Sequence, residues 1–125
     1  MMLTSLLLSL SITGQPVLSD DGGAALYREH CAVCHQANGT GVPMMQPSLK
    51  GSSKVLGKPE HLIYMVFQGS KAVPEGTSEW DNEMPGFGFL SDAEIAKVLT
   101  YVRSNFGNSE NVITQEDVAA YRADQ

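Results

Sequence analysis

The sequence predicts an all-α domain, and three observations support this prediction. Apolar residues recur every three or four positions in several segments. Ser, Thr, Pro and Gly stand at positions typical of helix starts and ends. No segment alternates strictly between apolar and polar residues, as a half-buried strand would. Because 125 residues build only one core, we expect one domain over residues 20–125 and exclude multidomain enzymes and repeat arrays.

The first 19 residues have the composition of an export signal. They contain no charged side chain, and residues 3–12 form a leucine-rich run. This run has about ten residues, whereas a membrane-spanning helix needs roughly twenty, so a cleaved signal is favoured over a permanent anchor. We therefore expect a signal peptide over residues 1–19, a periplasmic location and no stable membrane anchor.

The charge balance restricts the choice of partner. Fourteen acidic residues stand against eight basic ones, which gives a formal charge of -6. Such a surface repels the phosphates of nucleic acids and anionic lipids. We therefore exclude nucleic acid as a partner.

The first predicted helix covers residues 23–35. Several apolar residues of this segment share one helical face, and Asp20 or Asp21 is available as the N-cap. Residues 36–58 follow with four glycines and two prolines, a composition typical of a loop.

The second predicted helix begins at Pro59, which suits a first helical turn, and ends before Gly69, which suits the position just past a helix. Its apolar positions are Leu62, Ile63, Val66 and Phe67. Residues 70–88 contain two prolines and several glycines, so we expect an irregular segment there.

The third predicted helix starts at a capping box formed by Ser91 and Glu94 and stops at Gly107. Its apolar stripe consists of Ile95, Val98, Leu99, Val102 and Phe106. A short last helix follows, with Thr114 as its N-cap and Asp117 three residues on.

One motif carries the chemistry of this sequence. Residues 31–35 read Cys-Ala-Val-Cys-His, the C-x-x-C-H form of c-type haem attachment. Two thiols three positions apart can each add to one haem vinyl group, and the next residue delivers an imidazole to the iron. The motif therefore predicts one covalent haem c, held by Cys31 and Cys34, with His35 as a metal ligand.

Three other uses of the two cysteines are open. A thioredoxin-like redox pair would need a βαβ context. A zinc site would need four ligands, and neither His30 nor His61 belongs to a second ligand pair. A disulfide between residues this close would contribute little stabilisation.

A methionine is the usual soft sixth ligand of an electron-carrying haem iron. Met84 is our candidate, because Pro85 and the neighbouring glycines form a non-helical loop that can aim one side chain at a metal. We expect Met65 to pack in the core of the second helix, and Met44 and Met45 to fill gaps at the haem edge.

Together these segments resemble class I cytochrome c, and more narrowly the small bacterial cytochrome c domains that accompany periplasmic dehydrogenases or are fused to copper nitrite reductases. The resemblance covers most of residues 22–108. It implies three core helices around a covalent haem plus a short C-terminal helix. The matching stretches are residues 23–27, 31–39, 41–43, 47–49, 84–88 and 90–108.

The resemblance also implies roles for single residues. The Pro47 carbonyl would accept a hydrogen bond from the non-ligating N–H of His35. Leu49 and Leu99 would pack on the porphyrin. Trp80 would lie near a haem propionate, with simple core filling as the alternative.

Two further expectations concern the ends of this match. Gly23 and Tyr27 on the first helix would meet the third helix near Leu99 and Tyr101. The tail after Asn108 extends beyond the minimal fold, and the sequence assigns it no role.

His and Met ligation leaves no open position at the iron, so only an electron can cross the haem edge. We therefore expect a one-electron carrier, not an enzyme, with redox proteins as partners. The alternatives are a cytochrome c subunit of a periplasmic dehydrogenase and a gas-binding or peroxide-reducing haem protein. Four carboxylates either steer a basic partner to the haem edge or form a plain solvated charge run: Glu75, Glu79, Asp81 and Glu83.

Overall fold

The computed structural model describes residues 22–125. The expected signal peptide over residues 1–19 and the two candidate caps, Asp20 and Asp21, lie outside the described residues. The elements in chain order are α1 (Gly23–His30), α2 (Ala32–His35), α3 (Pro59–Gln68), a 3-10 turn (Gly69–Ala72), α4 (Asp92–Ser104) and α5 (Gln115–Ala123). The β pairing in this part of the chain is one isolated bridge between Val42 and Gln46. The all-α prediction is confirmed.

The first predicted helix is two helices, so the expectation of one helix over residues 23–35 is wrong. Cys31 stands between α1 and α2 with φ of -118° and ψ of -37°. Its N–H still bonds to the Tyr27 carbonyl at 2.9 Å, and its own carbonyl accepts from the His35 N–H at 2.9 Å. Helical hydrogen bonds therefore continue on both sides of Cys31, although its φ departs from the helical value. Gly22, at φ of 86°, holds the N-cap position of α1.

The predicted bounds of α3 and the two capping boxes are confirmed. Pro59 occupies the first turn of α3, and Gly69 caps its end at φ of 61°. The Ser91 hydroxyl accepts from the Glu94 N–H at 3.1 Å, and the Glu94 carboxylate accepts from the Ser91 N–H at 3.0 Å. The same reciprocal pair of hydrogen bonds joins the two cap residues of α5, Thr114 and Asp117.

Helix α4 ends at Ser104, three residues before the predicted stop at Gly107. Asn105 leaves the helix in an extended conformation, and its side-chain amide donates to the Tyr101 carbonyl at 2.9 Å. Phe106 then takes a positive φ of 59°, which places its ring 5.1 Å from the ring of Tyr27. Aromatic packing against α1 thus competes with continuation of the helix.

The contact between α1 and α4 is as close as the sequence predicted. A Cβ placed on Gly23 would lie 2.6 Å from the Lys97 carbonyl oxygen and 2.9 Å from the Tyr101 Cβ. The Tyr27 ring is 1% exposed and lies 5.5 Å from the Tyr101 ring. Only glycine allows the two backbones to approach this far.

The tail after Asn108 completes the core. Ile113 and Val118 are 3% and 0% exposed and belong to the same apolar cluster as Leu99, and α5 packs on both α3 and α4. Arg103 joins this tail to the long loop, because its guanidinium donates to the carbonyls of Asn111, Val55 and Gly57 at 2.8 to 2.9 Å. No helix within residues 22–125 is long and apolar enough to cross a membrane.

Replacing Gly23 tests the close crossing of α1 and α4. Helix propensity alone would make Gly23→Ala stabilising by about 1 kcal/mol. Because the new methyl group overlaps the α4 backbone, we expect instead a loss of about 1–3 kcal/mol in the free energy of unfolding, measured by denaturant titration.

The control for this prediction is Ala25→Gly, the reverse exchange at an exposed position of the same helix. This variant reports helix propensity without overlap, so it should lose about 1 kcal/mol in the free energy of unfolding. A Gly23→Ala protein that is more stable than the parent protein would contradict the close crossing.

Candidate functional site

His35 is the most constrained polar side chain of the predicted site. It closes α2 and is 8% exposed. Its Nδ1 lies 2.9 Å from the Pro47 carbonyl oxygen. A carbonyl only accepts, so a neutral imidazole in this contact carries its proton on Nδ1 and its lone pair on Nε2. This is the tautomer that a metal-ligating histidine needs.

The loop after α2 is shaped to bring Pro47 to the imidazole. The Gly41 N–H donates to the His35 carbonyl at 2.9 Å, and the Leu49 N–H donates to the Gly39 carbonyl at 2.7 Å. Gly41 has a φ of 65°, and its backbone lies directly against the Pro47 carbonyl group, where a side chain would not fit. The loop therefore folds back on itself and over His35.

The two cysteines are free, half-buried thiols. Burial, followed by the proximity of Cys34, raises the pKa of Cys31 to about 11. Before haem attachment, the Cys31 thiol is therefore protonated at neutral pH. Next to α2, the Tyr27 hydroxyl donates to the Gln36 carbonyl at 2.6 Å, so a buried residue of α1 fixes the backbone that follows His35.

Met84 begins the loop of residues 84–90, called the Met84 loop below. This loop is attached to the 3-10 turn that follows α3. The Met84 N–H donates to the Ser70 hydroxyl at 2.6 Å, and the Ser70 N–H donates to the Met84 carbonyl at 2.9 Å. Gly69 fits directly against the Met84 and Pro85 backbone. The Met84 side chain is half-buried and packs against the apolar cluster.

The remaining predicted site residues fall into two groups. Leu49, Cys31 and Met84 are half-buried and each packs against the apolar cluster that contains the buried Leu99. Trp80 is half-buried, and no described contact joins it to that cluster.

The segment after Trp80 is tied to the first long loop. The Asp81 and Asn82 N–H groups donate to the carbonyls of Met44 and Met45 at 2.9 and 3.2 Å. The Met44 side chain is 71% exposed.

Met65, which we expected in the core, is only half-buried and lines a cavity of about 280 Å³.

Sequence reasoning missed two residues that fix the backbone near the predicted ligands, Gln36 beside His35 and Ser70 beside Met84. Ser70 follows Gly69 without any motif of its own, and Gln36 carries no pattern that marks it as an acceptor. Their hydrogen-bond partners lie 14 and 9 residues away along the chain. Local sequence signals describe turns and helix ends and do not encode such contacts.

The donor set fits a covalently attached haem. It offers two thiols, an imidazole whose Nε2 lone pair is left free, and a thioether on a separate loop, which are the groups that haem c attachment and His/Met ligation require. Residues 22–125 contain no cluster of three or more His, Cys, Asp or Glu side chains that could hold a metal ion, as a four-ligand zinc site would need. They also form no βαβ unit of the thioredoxin type.

The model of the cytochrome c family matches residues 21–106. The chain belongs to the cytochrome c family. It is 32% identical to cytochrome c-552 of Thermus thermophilus, over an alignment 127 positions long that covers 94% of this chain and 85% of that protein. Membership in this family implies covalently attached haem c and haem electron transfer.

Other relatives of this cytochrome c are larger proteins. The chain is 34% identical over 105 residues to the cytochrome c subunit of alcohol dehydrogenase (quinone) from Gluconobacter oxydans. It is 30% identical over 107 residues to the gluconate 2-dehydrogenase cytochrome c subunit of Pantoea cypripedii. Each alignment covers 82% of this chain, but the chain spans only 22% and 24% of those two subunits.

Removing the Tyr27 hydroxyl tests the hydrogen bond that it donates to the Gln36 carbonyl. We expect Tyr27→Phe to lower the free energy of unfolding at pH 7 by about 1 kcal/mol, the usual net value of one hydrogen bond. Denaturant titration of the holoprotein measures this loss.

The same variant has a pH signature. Burial raises the pKa of Tyr27 from 10.0 to about 12, so the unfolded chain releases the phenol proton before the folded one does. As the pH rises from 10 to 12 the parent protein loses stability for this reason and the variant does not. The difference in free energy of unfolding between the parent protein and Tyr27→Phe should therefore narrow from pH 10 to 12. A difference that stays constant over this range would contradict a buried Tyr27 hydroxyl.

Proposed function

We propose that Cys31 and Cys34 bind one haem c covalently, that His35 and Met84 ligate its iron, and that the protein carries single electrons in the periplasm. The observation that supports this most strongly is the His35 Nδ1 contact with the Pro47 carbonyl, at 2.9 Å. It leaves the lone pair of Nε2 available to a metal, on a buried ring whose other nitrogen already has a hydrogen-bond partner. A histidine that served only for packing would not need this tautomer.

The chain's own residues define what such a site does. When bound, the haem supplies a reversible one-electron couple at its iron. The Pro47 carbonyl orients the His35 ring and raises its basicity. The Ser70 hydrogen bonds hold the Met84 loop near the same apolar cluster. With His35 and Met84 both bound to the iron, no substrate would reach the metal, and the thioether ligand would raise the reduction potential.

The charge distribution supports a basic partner surface. Four carboxylates, Glu75, Glu79, Asp81 and Glu83, are all exposed and precede Met84 directly. The Asp81 N–H donates to the Met44 carbonyl, so the acidic segment contacts the first long loop at Met44. The Met44 side chain is 71% exposed. This arrangement supports our proposal that negative potential lies beside the haem edge, where the electron leaves the protein. Such a field accelerates encounter with a basic protein without a large interface.

A second candidate is a cytochrome subunit of a periplasmic dehydrogenase. The relatives named as cytochrome subunits of alcohol, gluconate and fructose dehydrogenases align with about four fifths of this chain. Size-exclusion chromatography of the native protein from its own cells separates the candidates. A carrier elutes as a small protein, whereas a subunit elutes with its dehydrogenase.

Spectra of a Met84→Ala variant test the ligand assignment. The oxidised parent protein should show a sulfur-to-iron charge-transfer band, and Met84→Ala should lose it because no thioether remains on the sixth position. The reduced parent protein should not bind carbon monoxide at neutral pH, whereas the variant should.

Met65→Ala is the matched control, since Met65 is also half-buried and we assign it no ligand role. It should keep the band. Persistence of the band in Met84→Ala would reject Met84 as the ligand, and carbon monoxide binding by the parent protein would favour the gas-binding alternative.

Small redox probes of opposite charge test the steering role of the acidic segment. We replace three of its carboxylates by amides, at Glu75, Glu79 and Glu83. At low ionic strength the rate of electron transfer to hexaammineruthenium(III), a cation, should fall by up to about tenfold. The rate to ferricyanide should rise, and added salt should shrink both effects.

The control removes the same number of charges elsewhere on the surface, at the exposed Glu29, Glu60 and Glu116. Stopped-flow rates of the two triple variants are compared at equal ionic strength. Equal changes in both would show that net charge alone acts and would contradict steering by the acidic segment.

A further inference from the structure

The C-terminal helix α5 holds the far end of the Met84 loop through one side chain. The Arg122 guanidinium donates to the Gly88 carbonyl at 3.0 Å and to the Leu90 carbonyl at 2.9 Å. Its Nε donates to an Asp92 carboxylate oxygen at 2.7 Å. Arg122 thus spans the last loop residues and the first residue of α4 with a planar set of donors in fixed positions.

The same guanidinium rests on an aromatic stack beside that loop. It lies 4.7 Å from the centre of the Phe67 ring, and the Tyr121 ring packs edge-on against Phe67, also at 4.7 Å. On the loop side, a Cβ added to Gly88 would stand 3.2 Å from the Phe67 ring. The loop, α3 and α5 therefore meet at Phe67, with Arg122 above it.

The loop is held from its two ends by different elements. Its first half bonds to the end of α3, through Ser70 to Met84 and through the Val66 carbonyl to the Phe87 N–H at 2.8 Å. Its second half has carbonyls at Gly88 and Leu90, and the described side chain that donates to both is Arg122. Loss of Arg122 would leave the second half without its side-chain donors.

We propose that Arg122 is a positioning residue that keeps the Met84 thioether in the sixth ligand position. The inference rests on the proposed function, since it takes Met84 as the ligand. A neutral thioether binds iron weakly compared with an imidazole, so its occupancy depends on how far the surrounding loop is already fixed in the bound arrangement. Arg122 belongs to the tail after Asn108, to which the sequence assigned no role, and from there it restricts the motion of that loop.

Competition by imidazole measures this restriction directly. Added imidazole binds only those molecules in which the thioether is off the iron, so its apparent affinity rises with the fraction of such molecules. Arg122→Ala removes three hydrogen bonds, two of them to the loop. We expect imidazole to bind the oxidised Arg122→Ala holoprotein about tenfold more tightly than the parent holoprotein. The charge-transfer band should also vanish at a lower temperature.

Thr100→Val is the matched control. The Thr100 hydroxyl makes two hydrogen bonds with the Ile113 backbone, each of 3.0 Å, and thus fixes the tail without touching the Met84 loop. This variant should lose global stability and keep the imidazole affinity of the parent protein. Arg122→Lys retains one charged donor but not the planar fork, so its imidazole affinity should be intermediate, and it provides the test if Arg122→Ala does not fold.

The outcomes separate the two claims. If the parent holoprotein lacks the sulfur-to-iron band, Met84 is not the ligand, and the proposed function fails together with this inference. If the parent shows the band, and Arg122→Ala and Arg122→Lys bind imidazole no more tightly than Thr100→Val, Met84 ligation stands and the positioning role of Arg122 is overturned.

Discussion

One hydrogen bond, between His35 Nδ1 and the Pro47 carbonyl, decides what the rest of this fold can do. It sets the tautomer of a buried imidazole and leaves a lone pair on the other ring nitrogen, which is the atom we propose as the metal ligand. The loop from Gly39 to Leu49 is built around this contact, because its glycine at position 41 leaves room for the Pro47 carbonyl and its backbone bonds return the chain over α2. The C-x-x-C-H motif supplies the reactive groups, and this loop gives the histidine its direction.

Met84, the proposed second ligand, lies on a loop that is held separately from His35. It stands 49 positions after His35, and its loop is fixed by contacts with α3, the 3-10 turn and α5. Gly69 and Ser70 bind the Met84 backbone, and Arg122 binds the carbonyls that follow. The tail that extends beyond the minimal domain therefore contributes both core packing, through Val118, and support for the loop.

Local patterns predicted the helices well and their interruptions poorly. Pro59, Gly69 and the two capping boxes mark helix ends through bonds within a few residues, so the sequence displays them. The break between α1 and α2 lies in the φ of one residue, Cys31, at -118°. The early end of α4 depends on the packing of Phe106 against Tyr27. Arg122 and Ser70 act on partners 14 to 34 residues away. A single sequence shows such residues without showing their partners.

The central claim is that the Cys31 and Cys34 thiols hold a haem beside His35, and the intact mass of the purified protein tests it most directly. The protein is purified from a bacterial host able to mature c-type haem, denatured and weighed, and its peptides are then mapped. We expect the polypeptide mass plus one haem that survives denaturation, located on the peptide with residues 31–35. A colourless protein of unmodified mass, or haem released on denaturation, would contradict the account.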